Sequence, residues 1–204
     1  MKTKNLLTGL ILSFAMLFSA TAMAQETEMK DKMKKKDKMS KMQDTKMVGG
    51  AEMYPSKDIV SNAVNSNDHT TLVAAVKAAD LVETLQGDGP FTVFAPTNAA
   101  FDKLPEGTVS SLLKPENKNQ LQSVLTYHVI AGKFSATDVV NAIKKGNGKA
   151  SFKTVNGDQL HAVLDGKSVV LMDGKGNKST VTIADVNQSN GVIHVVDTVV
   201  LPGM

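Results

Sequence analysis

The chain has 204 residues, of which 42% are hydrophobic and 21% are charged, a composition typical of an ordinary globular protein. It contains no cysteine, which excludes disulfides, thiolate metal sites and cysteine nucleophiles. Its 23 basic residues are all lysine, and the absence of the bidentate guanidinium group argues against sequence-specific nucleic-acid binding.

The net charge of +3 is unevenly distributed along the chain. Residues 1–24 and 25–53 each carry a net charge of +2, whereas residues 54–204 have 13 lysines against 14 acidic residues. The N-terminal end therefore accounts for the basic isoelectric point. The rest of the chain is predicted to have no overall field that attracts anions.

The first 24 residues have the pattern of a secretory signal peptide. Lys2 and Lys4 precede an apolar run over residues 6–20, and the small residues Ala22 and Ala24 follow at the cleavage positions. The run has about 15 residues, fewer than the roughly 20 that a membrane-spanning helix needs. We therefore predict cleavage near Ala24, a secreted chain in the periplasm or outside the cell, and no stable membrane insertion.

Residues 25–53 alternate lysine, acidic residues and methionine and contain almost no large aliphatic side chain. Such a segment buries too little apolar surface to offset the entropy of ordering it, so we predict a disordered Lys/Met-rich tether. Two other hypotheses concern its chemistry. The lysines suit contact with an anionic cell surface, and the thioethers suit Cu(I), which would make the protein a periplasmic small-ligand or Cu(I) carrier. The methionines at helical spacing are Met29, Met33, Met39 and Met42.

Residues 54–204 are long enough for one domain, and helical patterns come first. Ser56 is expected to cap the first helix, and apolar residues at helical spacing continue until Gly87. A β-rich run over residues 91–95 follows. Thr97 is then expected to cap a helical turn.

Two longer helices are predicted next. Pro115 lies at a first-turn position ahead of an apolar face that ends at His128. Ser135 and Asp138 have the spacing of a capping box, which opens a helix through Ile143.

The second half has a strand pattern. Asn-Gly and Asp-Gly turn sequences separate five β-rich runs. These runs cover residues 152–155, 159–164, 168–172, 180–186 and 192–201. Helices followed by an antiparallel meander predict an α+β domain.

Three segments resemble conserved boxes of the fasciclin (FAS1, βIg-H3) domain family. They are Phe91–Phe101, Leu125–Val129 and Asn190–Pro202, and the resemblance covers residues 55–202 almost continuously. It implies a wedge-shaped β-sandwich of about seven strands packed with helices from the N-terminal half. It also implies a secreted, single-domain bacterial adhesion or interaction module, with a cell-surface or matrix protein or polysaccharide as its partner.

The resemblance also points to candidate interaction residues. Tyr127 and His128 match a pair linked to cell adhesion in some animal members. Asp185 and Val186 align with an integrin-linked Pro-Asp-Ile segment, in which Ala184 replaces the proline. A structural alternative is that His128 closes the helix, stabilised by the helix dipole, while Tyr127 packs with its hydroxyl hydrogen-bonded.

No catalytic or metal-binding motif is present. The four histidines form no i, i+3 or i, i+4 pair, and Gly-x-Ser-x-Gly and phosphate-loop sequences are absent. Strand alternation places His194 with two valines and Asp197 on the opposite face, which argues against a Ser189–His194–Asp197 set. We therefore predict no enzymatic activity, no cofactor and no metal, and a buried neutral His194 bonded to a backbone carbonyl.

Overall fold

A computed structural model describes residues 45–203, which begin with a short β-hairpin. Strands β1 (Lys46–Val48) and β2 (Ala51–Met53) pair in antiparallel register across a Gly-Gly turn with positive φ at both glycines. Val48 and Met53 are buried in the core. The prediction of a tether through residue 53 and a domain starting at 54 is therefore wrong at this boundary, because two apolar side chains anchor the hairpin.

The described residues belong to one compact unit. The predicted signal peptide and the predicted tether up to residue 44 lie outside the described residues, as do the four methionines of the Cu(I) hypothesis. Those predictions stay predictions.

Seven α-helices occur between residues 45 and 203. They are α1 (Ile59–Ala63), α2 (Thr70–Ala78), α3 (Val82–Gln86), α4 (Asn98–Asp102), α5 (Thr108–Leu112), α6 (Lys118–Tyr127) and α7 (Ala136–Lys145). Short 3-10 turns at Asn67–His69 and Pro115–Asn117 precede α2 and α6.

Side-chain caps fix several of the helix starts. Thr97 caps α4 as predicted, and Ser135 and Asp138 form the predicted capping box on α7. The cap of α1 is Asp58 rather than Ser56, since the Asp58 carboxylate accepts a hydrogen bond from the Ser61 N–H at 2.8 Å.

The remaining strands form one seven-stranded sheet in the order β4-β3-β9-β8-β7-β6-β5. They are β3 (Phe91–Pro96), β4 (Val129–Ala131), β5 (Lys149–Lys153), β6 (Gln159–Asp165), β7 (Ser168–Met172), β8 (Lys178–Gln188) and β9 (Gly191–Val196). The antiparallel meander from β5 to β9 is confirmed. Strand β3 pairs in parallel with β9, which adds the first-half strands to the meander.

The sheet nearly closes on itself. A bridge between Ile130 and Thr154, and a 2.8 Å hydrogen bond from the Val155 N–H to the Val129 carbonyl, bring β4 next to the end of β5. The predicted α+β class with seven strands and an N-terminal helical cluster is confirmed.

The curved sheet separates two hydrophobic cores. Helices α1–α6 and the hairpin pack on one side, and α7 packs on the other against β5, β6 and β7. Alternation along β9 directs Ile193 and Val195 to the first core and Val196 to the second. The two cores together leave the outer side of β5–β8 free of α7.

Candidate functional site

Tyr127 occupies the last turn of α6 and is fully buried. Its hydroxyl donates a 3.0 Å hydrogen bond to the Gln159 carbonyl, at the start of β6. Burial raises the pKa of the Tyr127 hydroxyl above its ordinary value, so it remains protonated and able to donate. Tyr127 thus joins the helical half of the domain to the meander.

His128 follows at the C-cap of α6 and is 3% exposed. Its Nδ1 lies 2.8 Å from the Val124 carbonyl, and its Nε2 lies 3.1 Å from the Val200 N–H. These partners require a neutral ring that donates at Nδ1 and accepts at Nε2. Desolvation lowers the pKa of His128 to about 4, in agreement with that assignment. His128 closes the helix as a neutral donor, not as a cation stabilised by the dipole.

Asp185 and Val186 lie in an irregular stretch of β8, where the register with β9 shifts. Asp185 has a φ of 57°, in the left-handed region that asparagine and aspartate tolerate best. Its carboxylate accepts a 2.7 Å hydrogen bond from the Ala136 N–H and so satisfies a free donor in the first turn of α7. Val186 is buried in the first core.

The structure therefore gives the four candidate interaction residues packing and hydrogen-bonding roles. Tyr127, His128 and Val186 have almost no exposed surface, and only Asp185 of the four is partly exposed. A partner cannot contact the three buried side chains while they stay in the core.

His194 is buried as predicted and engages backbone groups at both ring nitrogens. Its Nε2 donates to the Phe134 carbonyl at 2.9 Å, and its Nδ1 accepts from the Asp185 N–H at 3.3 Å. The carboxylate of Asp197 accepts a 2.8 Å hydrogen bond from the Thr180 N–H. Neither ring nitrogen of His194 is available to a serine or to Asp197, so these residues form no hydrolytic set.

An apolar cavity of about 60 Å³ lies between helices α1–α3 and strand β3. Its wall is almost entirely aliphatic and aromatic, and it is smaller than the roughly 150 Å³ of an engineered apolar cavity that takes up benzene. No group of polar side chains converges on it. It therefore has the size and lining of a packing gap.

The outer side of strands β5–β8 has a different character, and we call it the meander face. The strand registers place its residues in rows across the sheet, and one row is Ser151, His161, Met172 and Lys178. A second row is Lys149, Val163, Val170 and Thr180, and a third is Lys153 and Gln159. The neighbours Ala150 and Phe152 point into the second core, so the side chains in these rows face away from it.

One side-chain hydrogen bond confirms this geometry. Ser151 Oγ and His161 Nδ1 are 2.8 Å apart on the solvent side of the sheet. Partial burial and the nearby Lys149 ammonium lower the pKa of His161 below its usual value. The meander face therefore combines lysines with neutral hydrogen-bonding groups.

The comparison with known proteins identifies the fold family. A family model of the fasciclin domain matches residues 67–202. The chain belongs to the fasciclin domain family.

Relatives of this fasciclin domain occur in bacteria and animals. The chain is 48% identical over 163 residues to Protein sll1483 of Synechocystis sp., covering 79% of this chain and 83% of that protein. It is 34% identical over 157 residues to the cell surface glycolipoprotein MPB83 of Mycobacterium bovis, covering 72% and 62%. A solved FAS1 domain pair from the insect cell adhesion molecule fasciclin I superposes with a TM-score of 0.65 at 18% identity, covering 72% of this chain and 52% of that one.

The fasciclin domain's meander face was not predicted from the sequence. Alternating exposed residues in Lys149–Lys153 carry a detectable signal, but the row partners on β6–β8 depend on strand register. Between residues 45 and 203 no helix is long and apolar enough to span a membrane, and no cluster of three His, Asp or Glu side chains is positioned to hold a metal ion.

Proposed function

We propose that this fasciclin domain is an exported, non-enzymatic binding module that acts in the periplasm or at the cell surface. Its partner is a cell-surface or matrix protein or polysaccharide. The observation that carries this proposal is the family match over residues 67–202. The MPB83 relative is named a cell surface glycolipoprotein, and the solved FAS1 pair comes from a cell adhesion molecule, both of which support a role in surface contact.

The interior of the domain supports a non-enzymatic role. His128 and His194 are both buried, and both of their ring nitrogens are engaged by backbone groups. A general base needs a nitrogen that can reach a substrate proton. These two histidines hold the fold together and are not positioned for proton transfer.

The binding experiment uses the mature chain, residues 25–204. The purified protein is incubated with whole bacterial cells, isolated envelope polysaccharide and matrix protein, and bound protein is quantified after washing. We expect retention on at least one of these surfaces above that of an unrelated secreted domain of similar size. Retention equal to that of the unrelated domain on every surface would refute the proposal.

The export part of the proposal has its own test. The full chain is expressed in a Gram-negative host, the cells are fractionated, and the N-terminus of the product is sequenced. We expect periplasmic or extracellular protein that begins near Gln25. Cytoplasmic protein that retains residues 1–24 would contradict export.

A further inference from the structure

The net charge of the fasciclin domain is close to zero, but the two halves of its sequence carry net charges of opposite sign. Residues 54–128, which supply most of the helices, carry 5 lysines and 8 acidic residues. Residues 129–203, which supply the meander, carry 8 lysines and 6 acidic residues. The half that supplies the meander therefore has a net charge of +2, and the half that supplies most of the helices has a net charge of −3.

Several acidic side chains of the second half are already engaged. Asp138 caps α7, and Asp185 accepts from the backbone of the same helix. Asp197 pairs with Lys103 at 3.4 Å. Asp173 is buried, and its carboxylate accepts hydrogen bonds from three backbone N–H groups and the Asn177 amide. These carboxylates are therefore held by other partners and form no ion pair with the lysines of the sheet.

Three lysines stand on the meander face. Lys149 and Lys153 lie on β5, Lys178 lies on β8, and all three are exposed. Within residues 45–203 none of these lysines has a carboxylate within 4.0 Å of its ammonium group. In the same range, strand alternation places one acidic residue on this face, Asp165, which lies at the corner of the face opposite Ser168. The face therefore has an excess of positive charge.

The spacing of these lysines favours an extended partner. Four residues along a strand separate Lys149 from Lys153 by about 13 Å, and three strand spacings separate β5 from β8 by about 14 Å. These backbone separations suit a chain with repeated negative charges, which reaches all three lysines at once, better than a single small anion.

The groups between the lysines indicate which kind of anionic chain fits. Ser151, Gln159, His161 and Thr180 offer neutral donors and acceptors that suit hydroxyl groups. Of the apolar members, Val163 and Met172 are partly exposed and Val170 is buried, so the face lacks a protruding hydrophobic anchor for a bilayer. It also lacks the aromatic and arginine side chains on which nucleic-acid bases stack.

We propose that the meander face binds an anionic polysaccharide, an inference that rests on the proposed function and names its partner class. Carboxylate or sulfate groups of the polymer pair with Lys149, Lys153 and Lys178. The sugar hydroxyls bond to the neutral side chains between them. The backbone hydrogen bonds between strands β5–β8 hold these groups in place before binding, which lowers the entropic cost of association.

The test compares two triple variants of the mature chain that have the same net charge. The meander-face variant is Lys149→Gln, Lys153→Gln and Lys178→Gln. The matched control carries Lys57→Gln, Lys77→Gln and Lys114→Gln, which are exposed lysines of the helical half. Both variants keep residues 25–44, so any contribution of their lysines to binding is the same. Thermal unfolding and circular dichroism establish that both are folded.

Affinity is measured for alginate, for neutral dextran, for vesicles of anionic phospholipid and for single-stranded DNA at low ionic strength. Three exposed ion pairs are expected to change the affinity about tenfold. We expect the meander-face variant to lose about that factor on alginate and the control to lose less than twofold, with no binding to dextran. Equal losses in the two variants, or equal affinity of the native chain for vesicles or DNA, would overturn the inference.

Lysine footprinting locates the contact directly. The native chain is acetylated with and without alginate, and modification at each lysine is quantified by mass spectrometry. We expect protection at Lys149, Lys153 and Lys178 that exceeds protection at Lys57, Lys77 and Lys114; uniform protection contradicts the assignment. Retention of the meander-face variant on cells at the native level would overturn this inference alone, whereas no retention of the native chain would overturn the proposed function.

Discussion

His128 and His161 show how differently one residue type behaves in the two halves of this domain. His128 lies in a sequence box that resembles an adhesion motif, yet it is buried and bonded to the backbone at both nitrogens. His161 lies in no such box, yet it is partly exposed beside Ser151 and near lysines. The histidine of the box therefore links segments of the fold, while the surface available for contact lies elsewhere.

The test with the largest expected difference replaces each of these two histidines by alanine. We expect His128→Ala to lower the free energy of unfolding by about 2–4 kcal/mol, because it leaves a cavity and a buried Val200 N–H without an acceptor. His161→Ala is expected to change it by less than about 0.5 kcal/mol. Urea unfolding of both variants measures the difference, and similar values for the two would contradict it.

Acid should destabilise the domain through the same buried histidine. The pKa of His128 is about 4 in the folded chain and near 6.5 in the unfolded chain, so the unfolded state binds more protons between these values. The free energy of unfolding is therefore retained above about pH 6.5 and falls as the pH is lowered towards 4, by about 3 kcal/mol in total. Lowered pKa values at the buried His69 and His194 act in the same direction.

Chemical unfolding at a series of pH values measures this dependence. The His128→Ala variant is the control, and its slope between pH 6.5 and 4 should be shallower than that of the native chain. Parallel slopes would show that His128 does not titrate as the structure indicates.

The neighbouring tyrosine contributes a smaller effect. Tyr127→Phe removes only the hydroxyl and leaves the ring, so the loss of its hydrogen bond to the Gln159 carbonyl should cost about 1–2 kcal/mol. Tyr54→Phe is the matched control, because the Tyr54 ring is exposed. A Tyr127→Phe variant as stable as Tyr54→Phe would show that this bond does not hold the two halves together.

Asp185 provides a test at the irregular stretch of β8. Asp185→Ala loses the bond to the Ala136 N–H and places alanine at a φ of 57°, at a cost of about 1 kcal/mol. Asp185→Asn keeps an acceptor and tolerates that φ, so it should stay within about 0.5 kcal/mol of the native chain. If thermal or denaturant unfolding shows that both variants lose the same stability, neither the hydrogen bond to α7 nor the backbone conformation explains why aspartate occurs at this position.

The meander face should show the smallest effect on stability. The Lys149, Lys153 and Lys178 triple substitution removes no buried contact and is expected to change the free energy of unfolding by less than about 0.5 kcal/mol. The expected effect of this substitution is on the affinity for the anionic polysaccharide. A large loss of stability in denaturant unfolding would mean that these lysines support the fold instead.

Local patterns in the sequence predicted much of the fold. The capping box at Ser135, the strand at Ser168–Met172 and the inward side of His194 all follow from hydrogen bonds or alternation within a few residues. The three boxes also predicted the family. The composition of the segment did not predict the start of the domain correctly. Val48 and Met53 are single apolar residues in a polar segment, and only their packing shows that they are buried.

The sequence by itself therefore determined the family, the α+β class and the chemistry that is missing, such as thiolate sites and arginine contacts. Tertiary structure decided which residues are buried and which face solvent. The His128–Val200 hydrogen bond joins residues 72 positions apart, and the meander face exists only because four strands pair in one register. Both depend on contacts between distant segments, which no local pattern records.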